Sequence, residues 1–247
     1  MRLHRFIVPV DLHASSITIT DPALLNQWTK VLRLCAGDRV ILCDGKGMQA
    51  EATIVGMGRS SITCTPDAPS PVAAEPKKDV TLYCAVLKRE NFEWVVQKCT
   101  ELGIRAIIPI VTTRTVKTGL KMDRLRIIAK EAAEQSGRGI IPVINNPLEF
   151  DRALEEAKHQ QNIFFHTITH QQTSKPENQQ TPVGIWVGPE GGWTEEETAK
   201  AKNAGFAIAS LGSLTLRAET AAAVASYLAI ADGRYAARGA PTRTSLP

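Results

Sequence analysis

Residues 66–79, PDAPSPVAAEPKKD, divide the sequence into two textures. Four prolines remove backbone donors and push their predecessors out of helical geometry, so no regular element continues through this stretch. It marks a domain boundary, with a linker over 71–79. Before it, RFIVP, SITIT, RVILCD, AEATIVGM and SSITCTP alternate apolar and polar residues and stop at turn formers, as short strands do. One helical run, PALLNQWTKVLRL, interrupts them. Residues 1–70 therefore read as a small β-barrel with one helix.

After the boundary, the apolar runs VTLYCAV, AIIPIV, NIFFHT, GIWVG and AIASLG alternate with helical stretches. That is the pattern of an α/β domain with a parallel sheet and crossover helices, here over residues 80–234. One helix places Phe92, Val95, Val96, Cys99 and Leu102 on one face and ends at Gly103. The next turns Leu125, Ile128 and Ala132 inward and stops at Gly137. A third opens with a capping box, Thr194 and Glu197, and closes at Gly205. The last, ETAAAVASYLAIADG, has almost no polar face and calls for burial in the core or in a subunit interface. Residues 235–247 read as a flexible tail.

The net charge of +4 is compatible with nucleic acid or with anionic small molecules, and does not choose between them. Five cysteines form no C-x-x-C pair, and five histidines show no metal-ligand spacing, so no metal site is expected. His166 and His170 flank a Gln- and Thr-rich stretch and read as loop residues. The basic N-terminus precedes too short an apolar run for a signal peptide, and no run approaches a membrane span. A reduced, cytoplasmic protein is expected.

Four segments carry candidate chemistry. GPEGG, Gly188 to Gly192, follows a buried strand and precedes a helix, the arrangement of a phosphate loop. Yet it has no Lys, and Glu190 in its middle would repel an anion. It is either a tight turn with Glu190 in solvent or a backbone cradle for a ligand without phosphate. In LGSLTLRAETAAA, 211–223, Glu219 is either a carboxylate suited to the helix start or, with Arg217, part of the same cleft. Glu131, Gln135 and Arg138 fall at i, i+4 and i+7, as a solvated ladder or a polar wall. Lys88, Arg89 and Lys98 gather around an apolar helix, snorkelling or lining the cleft.

Together KCTELG (98–103), EAAEQSGR (131–138), GPEGG (188–192) and LRAETA (216–221) resemble the ribosomal RNA small subunit methyltransferase E family. Arg5-Phe6, Val31-Leu32-Arg33 and Asp44-Gly45 are similar to its amino-terminal domain. Trp193 stands where relatives often carry Phe, and Ser213-Leu214-Thr215 replaces a more basic stretch. The resemblance implies a PUA-like barrel that grips RNA and a SPOUT-type α/β domain with a deep trefoil knot. It implies a homodimer that uses S-adenosylmethionine to methylate N3 of a uridine in 16S rRNA on the small ribosomal subunit. Gly188, Pro189, Glu190, Gly191, Gly192, Leu211, Gly212 and Leu216 would then line the cofactor pocket. Arg217 and Arg138 would stabilise the uridine anion, and Glu219 would take the proton. Arg2, Arg5, Arg33, Lys88, Arg89 and Arg114 would contact RNA. Three other readings remain open at this stage: a SPOUT enzyme for another RNA, a non-catalytic assembly factor on the same fold, and a nucleotide-binding enzyme.

Overall fold

The computed structural model describes residues 3–116, 119–159, 161–166 and 182–231. The expected tail, Arg2 and His170 lie outside them. In chain order the first elements are β1 (His4–Ile7), β2 (Ile17–Ile19), α1 (Pro22–Asn26), β3 (Arg39–Cys43), β4 (Met48–Met57), β5 (Ile62–Pro66) and β6 (Ser70–Pro71). Then come β7 (Val80–Ala85), α2 (Arg89–Leu102), β8 (Ala106–Val111), α3 (Met122–Ser136), β9 (Val143–Ile144), β10 (Leu148–Glu149) and α4 (Phe150–Glu156). The last are β11 (Gln161–Phe165), β12 (Val183–Val187), α5 (Glu195–Asn203), β13 (Ala207–Ala209) and α6 (Ala218–Ala231). The chain forms two compact units, Met1–Glu75 with Arg126–Ile141, and Pro76–Leu125 with Pro142–Pro247. Among the described residues no helix is long and apolar enough to cross a membrane.

The first unit holds a six-stranded sheet ordered β1-β3-β4-β5-β2, with β6 on β4. β1 runs parallel to β3, and the other pairs are antiparallel. Alternation does the sorting: β4 buries Ala50, Ala52 and Ile54 while Glu51 and Val55 face out. Trp28 is fully buried and meets Phe6 with ring centroids 4.6 Å apart, beside Leu42, Ile54 and Ile62. The single helix expected over PALLNQWTKVLRL is broken. Asp21 caps α1, a π-helical turn (Gln27–Val31) follows, and Arg33 leaves it with φ of 55°.

Residues 126–141, which the sequence pattern places in the second domain, pack with this unit. Ala133 of α3 joins Ile7 and Cys43 in a small core, and Glu134 accepts the Ile7 N–H at 2.8 Å. The linker is also built in rather than free. Val72 N–H donates to Gly47 O at 2.8 Å, and the Glu75 carboxylate accepts from Gly139 and Ile140 N–H at 2.8 and 3.0 Å.

The second unit is the expected parallel sheet, extended to seven strands in the order β10-β8-β7-β12-β11-β13, with β9 on β8. Every pairing in it is parallel. β12 is buried along its whole length, and Trp186 stacks on Tyr83 of β7 at 4.1 Å. Gly103 ends α2 as expected, with φ of 103° and no room for a Cβ beside the Pro76 ring. The capping box of α5 is present in full. α6 packs on α2, β7 and β12 through its small residues, Ala222, Ala225 and Ser226 among them. Its other side leaves Tyr227 and Leu228 exposed. Because the strands are parallel, the loops after β7, β11, β12 and β13 gather at one edge, where ligands bind in open α/β sheets.

Candidate active site

At that edge lies a cavity of about 590 Å³. Val86 to Lys88 follow β7, Phe165 ends β11 and His166 follows it, and Gly188 to Glu190 follow β12. Ser210 to Gly212 and Leu214 to Arg217 follow β13, and Glu219 comes from the first turn of α6.

The glycine turn is shaped by its neighbours. Gly192 N–H donates to Pro189 O at 2.8 Å, and Gly192 sits at φ of 69°, which a side chain would strain. A Cβ on Gly188 would lie 3.0 Å from the Trp193 indole. That indole N–H donates to Phe165 O at 2.9 Å, tying the turn to the end of β11. From the other side Arg114 Nη1 donates to Gly191 O at 2.5 Å and to Trp193 O at 3.3 Å. Glu197, only 4% exposed, accepts from Thr194 N–H at 2.8 Å and from Thr113 N–H at 2.9 Å. The capping carboxylate of α5 therefore also anchors the segment after β8.

Two carboxylates, Glu190 and Glu219, line the cavity together with two cations, Lys88 and Arg217. Glu190 is exposed, and its Oε1 accepts from Lys88 N–H at 3.5 Å. Glu219 Oε2 is buried and has no hydrogen-bond partner among the described residues. Cys84 feels both: burial pushes its thiol well up, with Cys99, Glu190 and Glu219 adding to the shift. Arg217 precedes α6, lines the cavity and is exposed.

Most of the expected site residues converge. Gly188, Pro189, Glu190, Gly192, Leu211, Gly212, Leu216, Arg217, Glu219 and Lys88 all line the cavity. Gly191 turns its carbonyl to Arg114 instead. Arg138 is not among the lining residues. α3 ends at Ser136, Gly137 follows at φ of 83°, and Arg138 N–H closes back on Ala133 O at 2.9 Å. The helical spacing that linked Arg138 to Glu131 and Gln135 stops there. Its guanidinium, 3% exposed, pairs with Glu75 at 3.1 Å within the first unit. Arg89 pairs with Glu93 at 3.2 Å. In the first unit Arg5 donates to Cys43 Sγ at 2.9 Å, and Arg33 stands exposed. The residue that sequence reasoning passed over is His166. It is a loop residue, as expected, but it lines the cavity. Its position directly after a buried strand of a parallel sheet was the available signal. Burial, then Lys202 and Arg114, hold its pKa below the ordinary histidine value.

The family model for an RNA methyltransferase domain matches residues 74–230, and that for an RNA methyltransferase PUA domain matches 29–67. Ribosomal RNA small subunit methyltransferase E of Synechocystis sp. is 32% identical over 229 residues, 89% of this chain and 74% of its own. Its namesake in Bacillus subtilis is 30% identical over 215 residues, 80% and 83% of the two chains. The chain belongs to the ribosomal RNA small subunit methyltransferase E family. The likeness extends to three dimensions. The methyltransferase E of Neisseria gonorrhoeae, solved bound to S-adenosyl methionine, has a TM-score of 0.84 at 26% identity, with 91% of this chain and 95% of that one covered.

Proposed function

We propose that the protein is the methyltransferase that moves a methyl group from S-adenosylmethionine to N3 of a uridine in 16S rRNA. The observation that carries this is Glu219. It lines the cavity with a buried oxygen that no donor among the described residues meets. An unmatched carboxylate oxygen opposes phosphate and suits a cationic ligand that has none. The donor fits that description, and the Neisseria relative was solved with it bound.

S-adenosylmethionine supplies a methyl group already activated on a positively charged sulfur. Val86, Leu87, Val187 and Leu211 offer apolar wall, and the backbone of Gly188, Leu211 and Leu216 offers donors and acceptors for the nucleoside. Glu219 supplies a negative charge toward the donor cation, in the first turn of α6 where a carboxylate is favoured. The expectation that it takes the proton gives way to this assignment. Uridine N3 carries a proton at neutral pH, and losing it leaves an anion. Arg217 places a cation where that anion develops. Arg138, paired with Glu75, holds residues 126–141 in the first unit rather than acting on substrate. The methylated edge is the pairing edge, so the uridine must be unpaired when it reacts.

The first unit is proposed as a PUA-like barrel that grips RNA through Arg2, Arg5 and Arg33; the PUA match over 29–67 supports it. Lys88, Arg89 and Arg114 are the corresponding basic residues of the second unit. The trefoil knot is proposed for the second unit. In support, β12 inserts between β7 and β11, and α6 returns to pack on both β7 and β12. A homodimer would cover exposed Tyr227 and Leu228 on α6 and Trp94 on α2. A ribosomal RNA substrate supports a cytoplasmic location. The test is direct: incubate the purified protein with labelled S-adenosylmethionine and small subunits lacking the modification, then digest the RNA. Label in 3-methyluridine is expected; label in another nucleoside, or none, contradicts the proposal.

A further inference from the structure

We propose that His166 is the catalytic base of this site, accepting the N3 proton of the uridine as N3 bonds to the methyl carbon. The inference rests on the function proposed above. Among the described residues, the titratable side chains lining the cavity are Lys88, His166, Glu190, Arg217 and Glu219. Lysine and arginine cations have no lone pair to offer. Glu219 carries a buried oxygen that no donor among the described residues meets, which suits the methyl donor's charge, and Glu190 accepts from the Lys88 N–H. The imidazole is the lining group whose ordinary titration lies nearest neutrality, the range in which a general base works best.

The peptide unit that leads into it is held at both its polar groups. His166 N–H donates to Ala209 O at 2.9 Å, and the preceding carbonyl, Phe165 O, accepts the Trp193 indole N–H at 2.9 Å. The ring therefore follows directly on the end of a packed strand, which favours a positioned base. The charged groups facing it are Lys202 from α5 and Arg114 from the segment after β8. Both oppose a second positive charge, and with burial they keep the imidazole unprotonated at neutral pH, ready to accept.

The balance closes. The N3–H bond breaks and its proton goes to the imidazole, which becomes cationic. The N3 electron pair forms the bond to the methyl carbon. The carbon–sulfur bond breaks with its pair on sulfur, cancelling the sulfonium charge. Arg217 stabilises the anionic character at uracil during the step, and solvent later removes the proton from His166.

The test compares wild type with His166→Asn and His166→Gln, using small subunits lacking the modification and saturating S-adenosylmethionine. The wild-type methylation rate is expected to fall toward acid, with a midpoint below about 6.5, the ordinary histidine value. The variants should be slower by about 100-fold or more, in the range of general base catalysis, and should lose that acidic limb. Their calorimetric affinity for S-adenosylmethionine should stay within about twofold of wild type, as expected for a group that acts on the proton and not on the donor. In the free protein, the His166 ring proton followed by NMR should titrate below about 6.5. Variants that keep the wild-type rate or its acidic limb, that lose donor affinity in step with rate, or a ring that titrates above that value, would overturn the inference. A wild-type protein that neither binds the donor nor methylates 16S rRNA would instead overturn the function on which it rests.

Discussion

Glu190 and Glu219 bring carboxylates to the cavity lining, and Arg217 brings a guanidinium. Replacing Arg217 by Ala is expected to lower turnover by about 100-fold, the usual size of losing one donor to a developing anion. Donor affinity should change little, because the role proposed for Arg217 is toward the uridine and not the donor. Unchanged turnover would remove Arg217 from the mechanism. These residues were legible in the sequence because the glycine turn and the LRAETA segment each carry an unusual local pattern. His166 was not, since nothing in its flanking residues marks it; its role comes from the sheet that brings the ends of β11 and β12 together. Arg138 was misplaced for the opposite reason. A helical period was extended across Gly137, whose left-handed φ ends the helix and turns the next residue away.

Individual elements depend on single polar groups more than their length implies. Glu197 closes the capping box of α5 and also holds Thr113 N–H, 84 residues away in sequence. Glu197→Ala would remove the acceptor of two part-buried N–H groups, of Thr113 and Thr194, at a cost of about 1–3 kcal/mol, readable as a lower denaturation midpoint. A loss below about 0.5 kcal/mol would mean that the bridge contributes little in solution. The cap itself was visible as T-x-x-E, and so were the ends of α2 at Gly103 and α5 at Gly205. The link to Thr113 was not, because local signals carry no information about which loop lies alongside. For the same reason β9 and β10, two residues each, exist only through their pairing with β8.

For the whole molecule, the prolines mark the change of texture in the sequence, whereas the compact units are Met1–Glu75 with Arg126–Ile141 and Pro76–Leu125 with Pro142–Pro247. Residues 126–141 escaped that reading because their contacts to Ile7, Cys43 and Glu75 are long-range and leave no trace in local periodicity. Binding to 16S rRNA should weaken steeply with salt, as phosphate contacts require. Arg33→Ala should lower the slope of log affinity against log salt by about 1 while weakening binding to all sequences alike. Affinity that is flat with salt would contradict the basic footprint. The most direct measurement of the central claim is primer extension on 16S rRNA from cells with and without this gene. N3-methyluridine cannot pair and halts the polymerase. One stop in wild-type RNA is expected to disappear without the gene and to return when the gene is restored. An identical set of stops in both RNAs would contradict it.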